Sequence, residues 1–238
     1  GIFGRNSRII GSIPASIKDF PFIVSIRVAS SNQFLCAGSI ISHWNILTSA
    51  QGLYNYNYSD IAIYAGIKSS KNTDGTKFQI ANVTFHPKFK ELMKLTLIYN
   101  YDIAIIKVDK RIEYNLFQRN INLPTKDIST GNLAVIAGWG TTIYPNGNIS
   151  DELRKSPMII FHNVHCTFKL QAILNDDQLC AYNEIGVGAC TGDSGGPVIH
   201  DNKIIGIISL TYGCALGLPD IHTKVYTYLN FIKDIIEN

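Results

Sequence analysis

The residues with the clearest capacity for chemistry are Gly192-Asp193-Ser194-Gly195-Gly196-Pro197, with Cys190 two positions before the first glycine. The composition of this run suits a loop that holds a serine hydroxyl outward. Gly192 and Gly195 permit torsions and close approaches that a side chain would block. The amides of Gly192 and Ser194 can then face a developing oxyanion. A serine alone is a poor nucleophile. It needs a base to take its proton and a carboxylate to orient that base.

The run resembles the nucleophile loop of the chymotrypsin/trypsin-like serine proteases, whose triad follows the chain order His, Asp, Ser. The carboxylate is easy to place, because Tyr101-Asp102-Ile103-Ala104-Ile105-Ile106 resembles the family's Asp-Ile-Ala-Leu motif. The base is missing. The family's histidine stands in Leu-Thr-Ala-Ala-His-Cys, and here the stretch reads Leu47-Thr48-Ser49-Ala50-Gln51-Gly52. A glutamine amide has an acceptor and a donor but no nitrogen that titrates near neutrality. Gln51 is expected to donate to Asp102 and accept from Ser194, keeping the architecture while proton transfer fails. In another protease with this triad, loss of the base costs about a millionfold in turnover. His43, His86, His162, His165, His200 and His222 are the remaining histidines, and none falls at a position the resemblance places beside Ser194. Their spacing suggests no metal site, and no cofactor is expected.

The resemblance also implies a specificity pocket altered at several points. The acidic residue of trypsin-like pockets, six positions before the nucleophile, is here Gly188. The wall that usually reads Ser-Trp-Gly is Ser209-Leu210-Thr211, where the Thr211 side chain should intrude. The glycine expected after a proline is Asp220, following Pro219. Its carboxylate either enters the pocket, blocking it or mimicking a site for basic residues, or swings into solvent. Entry is the favoured expectation.

These residues need a scaffold, and the rest of the chain describes one. The 238 residues carry a formal net charge of +3, with no basic run of the kind that binds nucleic acid. No apolar stretch has the length of a membrane span, and no signal-peptide pattern is recognised. The opening glycine is read as the start of a processed or recombinant fragment. Strand-like runs include Phe22–Val28, Phe34–Ile41, Ile61–Gly66, Ile103–Val108 and Leu133–Gly140, the last resembling the opening strand of a second barrel. A hairpin is expected about Asp201-Asn202. Val225, Leu229, Ile232 and Ile236 recur at helical spacing. The segment 88–99 is longer than the family's and apolar, which suggests packing, with a cleft-covering role as a possibility.

Five cysteines leave one unpaired. The resemblance implies disulfides Cys166–Cys180 and Cys190–Cys214. It leaves Cys36 as a free thiol, because its family partner, directly after the histidine, is here Gly52. Two adjacent losses, of the histidine and of that cysteine, suggest natural divergence. Sequons at Asn57, Asn82 and Asn148 and the disulfide pattern fit a secreted glycoprotein. Arg8–Ile9 resembles the family's activation junction, with residues 1–8 propeptide-like. Were the bond uncut, Asp193 would need another partner than the new amine.

The expectation is therefore an all-β fold of two six-stranded antiparallel β-barrels with a C-terminal helix, spanning residues 9–238 and divided at about 113–133. The whole sequence is similar to mite trypsin-like allergens and, more closely, to the scabies mite inactivated protease paralogues. That resemblance implies a catalytically inactive, monomeric homologue that binds host proteins, complement components among them. A weakly active serine endopeptidase with an atypical base is the alternative.

Overall fold

The structure, a computed structural model, describes residues 12–92, 100–143, 145 and 147–237. The Arg8–Ile9 junction and the apolar stretch after Leu92 lie outside these residues. Two closed antiparallel barrels make up the fold, as expected.

The first barrel is built from β2 (Ile23–Val28), β3 (Phe34–Ile40), β4 (Asn45–Thr48), β5 (Ile61–Ala65), β6 (Thr76–Phe85) and β7 (Ala104–Val108), closing in the order β2-β3-β4-β7-β6-β5. β-branched residues recur in these strands, and Ile26, Ile40, Ile46, Ile63 and Ile106 share the face that fills the interior. Closure pairs every strand on both sides and leaves no exposed edge. β6 is the longest strand, yet it carries no simple alternation. Its register shifts between Ile80 and Asn82, so Phe78 and Ile80 share one parity and Val83 and Phe85 the other. A bulge of this kind inserts one residue and reverses the apparent phase.

The second barrel comprises β8 (Leu133–Gly138), β9 (Arg154–Phe161), β10 (Gln178–Tyr182), β11 (Pro197–His200), β12 (Lys203–Leu210) and β13 (Asp220–Lys224). Pairing of β8 with β9 closes the ring β9-β10-β13-β12-β11-β8. A two-residue strand from the start of the described chain, β1 (Ile13–Pro14), adds to the edge of β9 and ties the N-terminal segment to the second barrel. The β11–β12 hairpin turns at Asp201 and Asn202, both at positive φ (47° and 55°), as a two-residue turn of matching twist requires.

Among the described residues, three α-helices decorate the barrels. α1 (Pro87–Leu92) opens the long insertion. α2 (Asn163–Leu170) is capped by His162, which accepts from the Val164 amide at 3.3 Å, and ends at Gln171 in the left-handed region. Val164 and Phe168 on α2 face solvent, so no apolar stripe announces the helix; buried Cys166 anchors it through its disulfide. The C-terminal stripe forms in two parts. Val225 and Tyr228 lie in a 3-10 turn, and α3 (Leu229–Ile236) follows. Val225, Tyr228 and Ile232 join the same apolar cluster as the first barrel.

His222 of β13 is an anomaly in the second barrel. It sits opposite Leu179 and Ile208 in register, fully buried, and neither ring nitrogen has a hydrogen-bond partner. Burial holds its pKa down to about 3. An unsatisfied buried polar group costs about 1 to 3 kcal/mol. His222→Phe is therefore expected to raise the stability measured by chemical denaturation at neutral pH. The sign of the pH effect follows from the lowered pKa. As pH falls from about 6.5 towards 3, the unfolded chain takes up a proton that the folded chain refuses, so stability is lost in that window. The variant should show a shallower loss there.

Candidate active site

Ser194 sits on a loop fastened to both barrels. The Cys190–Cys214 disulfide holds its start. The Gly195 amide donates to Ile208 O at 2.8 Å, and the Ala37 amide of the first barrel donates to Ser194 O at 2.9 Å. Gly195 has φ +79°, and a Cβ there would lie 2.2 Å from Thr48 Oγ1, so a glycine is required. The Gly192 and Ser194 amides have no acceptor among the described residues, which leaves both available to an oxyanion.

Asp193 is buried and points away from the cleft. Its carboxylate accepts from the Gly140 amide at 2.8 Å and the Cys190 amide at 3.0 Å. These two amides are the partners its burial demands. The Gly138-Trp139-Gly140 signature has a direct reason here: a Cβ at either glycine would fall within 2.2 Å of an Asp193 carboxylate oxygen. Burial pushes Asp193 up to about 6, against the pull of the two amides.

Asp102 is fully buried between the barrels. Gln51 N donates to Oδ1 at 2.8 Å, and Ser209 Oγ donates to Oδ2 at 2.6 Å. Thr223 Oγ1 donates to the Asp102 carbonyl at 2.8 Å. Burial pushes the Asp102 pKa up to about 6, and the Ser209 hydroxyl, the Gln51 amides and the Ala50 backbone hold it down. Neighbouring Tyr101, at φ +56°, has its amide 3.5 Å from Asp177 Oδ2, and Tyr228 Oη donates to the same oxygen.

Gln51 is thus beside Asp102, but its side chain does not bridge the site as expected. Its Nε2 donates to the Ser209 carbonyl at 2.6 Å, and no described hydrogen bond joins it to Ser194. The reason is shape. A glutamine amide carries its donor and acceptor at one end, whereas an imidazole presents two nitrogens on opposite sides. The Ser194 hydroxyl is half-buried and has no hydrogen-bond partner among the described residues.

The six histidines are engaged elsewhere. His43 Nδ1 lies 2.9 Å from Ile112 O and its ring stacks on Tyr114. His86 stacks on Tyr101, and burial lowers its pKa. His162 caps α2, His165 stacks on Phe161, and His200 Nδ1 meets Leu133 O. His222 lies in the barrel core. None is hydrogen-bonded to Ser194 among the described residues, and no group of three or more potential metal ligands occurs among them.

At the pocket, Asp220 is 3 % exposed and its Oδ2 accepts from the Ala189 amide at 3.1 Å. A Cβ on Gly188 would stand 3.2 Å from that oxygen. The carboxyl therefore faces the Gly188 floor and not solvent. Burial pushes its pKa up to about 8, the Ala189 amide opposes that, and the Asp193 charge adds to it. Leu210 closes β12 half-buried against a cluster that includes Cys166 and Cys180, and Thr211 follows, also half-buried.

The structure joins Cys166 to Cys180 and Cys190 to Cys214, and leaves Cys36 as a buried free thiol pushed up to about 12 by burial. Asn57, Asn82 and Asn148 are exposed, and Asn57 Oδ1 accepts from the Ser59 hydroxyl of its own sequon at 3.0 Å. Thr223 and the Asp177–Tyr228 pair were not visible in the sequence. Each acts across a long separation and carries no local motif. Ser209 stood within the recognised wall strand, where the resemblance gave it no role towards Asp102.

Two outcomes are expected. Asp220 has a folded pKa near 8 against an ordinary value of 3.8, so its contribution falls as pH rises from about 4 to 8. Asp220→Asn should remove that decline, gaining a few kcal/mol, roughly 1.4 per pKa unit, in denaturation curves at pH above 8. At Gly52, a Cβ would lie 2.9 Å from Cys36 Sγ. Gly52→Cys should form a disulfide with Cys36, detected by thiol titration and mass spectrometry, and stabilise the fold by about 3 kcal/mol.

Comparison with known proteins agrees with this geometry. A family model described as Trypsin matches residues 9–232. Chymotrypsin-2 of Vespa crabro is 31 % identical over 226 residues, covering 94 % of this chain and 98 % of that protein. Putative trypsin-6 of Homo sapiens is 30 % identical, covering 98 % and 92 %, and hypodermin-A of Hypoderma lineatum is 30 % identical, covering 97 % and 87 %. With the family model spanning nearly the whole chain and such relatives matched along their length, the chain belongs to the trypsin family.

Proposed function

We propose that the protein is a secreted, catalytically silent member of the trypsin family that acts by binding. One observation carries the reading. The residue beside Asp102 is Gln51, whose side-chain Nε2 donates to the Ser209 carbonyl, and no histidine or carboxylate among the described residues is hydrogen-bonded to Ser194. The pocket supports the same reading, because Asp220 occupies its floor and makes it acidic but largely uncharged at neutral pH. The disulfides fit an extracellular protein. The resemblance to scabies mite inactivated protease paralogues supports the finer reading: a glycosylated, allergen-like protein at a host–parasite interface, interfering with host defence by binding complement components.

A second reading, a weakly active endopeptidase, is favoured by the intact loop. The Gly192 and Ser194 amides are unclaimed, and Asp102 is in place. Fluorophosphonate labelling of Ser194 separates the two, run with peptide turnover on the wild type and on Gln51→His, each before and after cleavage at Arg8–Ile9. The wild type is expected to show neither labelling nor turnover above a Ser194→Ala control. Wild-type turnover clearly above that control would overturn the silent reading. A gain of several orders of magnitude in Gln51→His would show that the base alone was lost.

A further inference from the structure

The second barrel carries an outward surface that the cleft does not use. Side chains along a strand alternate between interior and exterior. On β8, β9 and β11 the interior positions are taken by Ala134, Ile136, Met158, Ile160 and Val198. The exterior positions of the same strands are Leu133, Val135, Pro157 and Ile199. Exterior positions of a sheet with one buried face are normally polar. Here the register sets Val135 opposite Pro157 on one side and Ile199 on the other, which makes one apolar row across three strands. Leu133 extends the row and is 67 % exposed.

This row floors a groove of about 980 Å³, walled by Phe20 and Pro21 ahead of β2 and by residues 119–122 of the inter-barrel connector. Its rim is cationic. Lys18, Arg119 and Lys155 line it, and none forms an ion pair with a described residue. Lys18 Nζ lies 5.5 Å from the Phe117 ring centre, and Lys155 Nζ lies 5.8 Å from that of Phe20. Two acids, Asp19 and Asp201, also line the rim, and Asp201 Oδ2 lies 3.3 Å from His200 Nε2, so cations outnumber acids there. An apolar floor between unpaired cations complements a segment that alternates apolar side chains with carboxylates. In an extended segment the apolar side chains all face one way, about 7 Å apart, and the carboxylates lie off that face.

We propose that this groove docks an extended acidic segment of a partner protein. Its apolar side chains seat on Val135, Pro157, Ile199 and Leu133, and its carboxylates pair with Lys18, Arg119 and Lys155. The inference stands whether or not Ser194 reacts, since no groove residue belongs to the cleft.

Fluorescence anisotropy tests it on the full chain, with a fluorescein-labelled peptide of alternating leucine and aspartate. A leucine–lysine peptide and a serine–aspartate peptide serve as controls. The leucine–aspartate peptide is expected to bind tightest and to weaken with salt. Arg119→Glu combined with Lys155→Glu should weaken it about tenfold or more. Leu133→Asp, at an exposed position that leaves the core intact, should weaken it by a similar factor, with the fold checked by thermal melting. Equal binding of the leucine–aspartate and leucine–lysine peptides would overturn the proposal, as would variants that bind like the wild type. So would binding of heparin or anionic vesicles that exceeds the peptide's and survives Leu133→Asp, because the surface would then be an anion patch with no use for its apolar row.

Discussion

A buried carboxylate between two barrels is costly unless donors surround it, and Asp102 sets that condition for the whole molecule. Its donors come from both sides. Gln51 N belongs to the first barrel and Ser209 Oγ to β12 of the second, while Thr223 Oγ1 of β13 holds the Asp102 backbone carbonyl. The barrels therefore dock in the arrangement that supplies all of them. The serine loop is aligned by the same docking, since Ser194 O accepts from Ala37 and Gly195 N donates to Ile208 O. The geometry of the cleft and the stability of the inter-barrel contact are one problem with one solution.

In the proposed reading, that coupling explains how a glutamine can stand at the position that the resemblance gives to the base. The structural demand at position 51 is a backbone amide for Asp102, and every residue except proline meets it. The side chain is then left to find its own partner, and the Ser209 carbonyl provides one. The demand of catalysis is a titrating nitrogen between Asp102 and Ser194, which packing does not require. In the proposed reading the two demands have separated: the fold keeps Asp102, Ser194 and the amides of the loop while the proton acceptor is gone. The loss of the Cys36 disulfide is consistent with this. Gly52 packs directly on the thiol, and the cysteine remains buried as a small apolar side chain.

The second barrel concentrates buried ionisable groups at one end. Asp193 and Asp220 are both pushed up by burial, and the charge of the first raises the second further. His222, two residues from Asp220, is pushed the other way. Burial thus works against the charged form of all three groups, and the charge that Asp193 does carry disfavours a second one on Asp220. The backbone amides of Gly140, Cys190 and Ala189 are what make this arrangement tolerable.

Residue types and their order determined much of this protein. The serine run, the Asp102 strand, the Gly-Trp-Gly signature and Gln51 are contiguous motifs, and local backbone chemistry gives each its form. Runs rich in β-branched residues, such as β2 and β7, were legible for the same reason. β6 was not, because its bulge reverses the alternation, and α2 was not, because a disulfide anchors it in place of an apolar stripe. Tertiary structure alone decided where side chains with several possible partners went. The Gln51 side-chain amide went to the Ser209 carbonyl, while the Gln51 backbone amide and the Ser209 hydroxyl met the Asp102 carboxylate. The Asp220 carboxyl turned to Ala189 at the pocket floor, and Thr223 reached Asp102 across 121 positions of sequence. Such choices depend on which donors lie within about 3 Å in space, and linear order does not contain that distance.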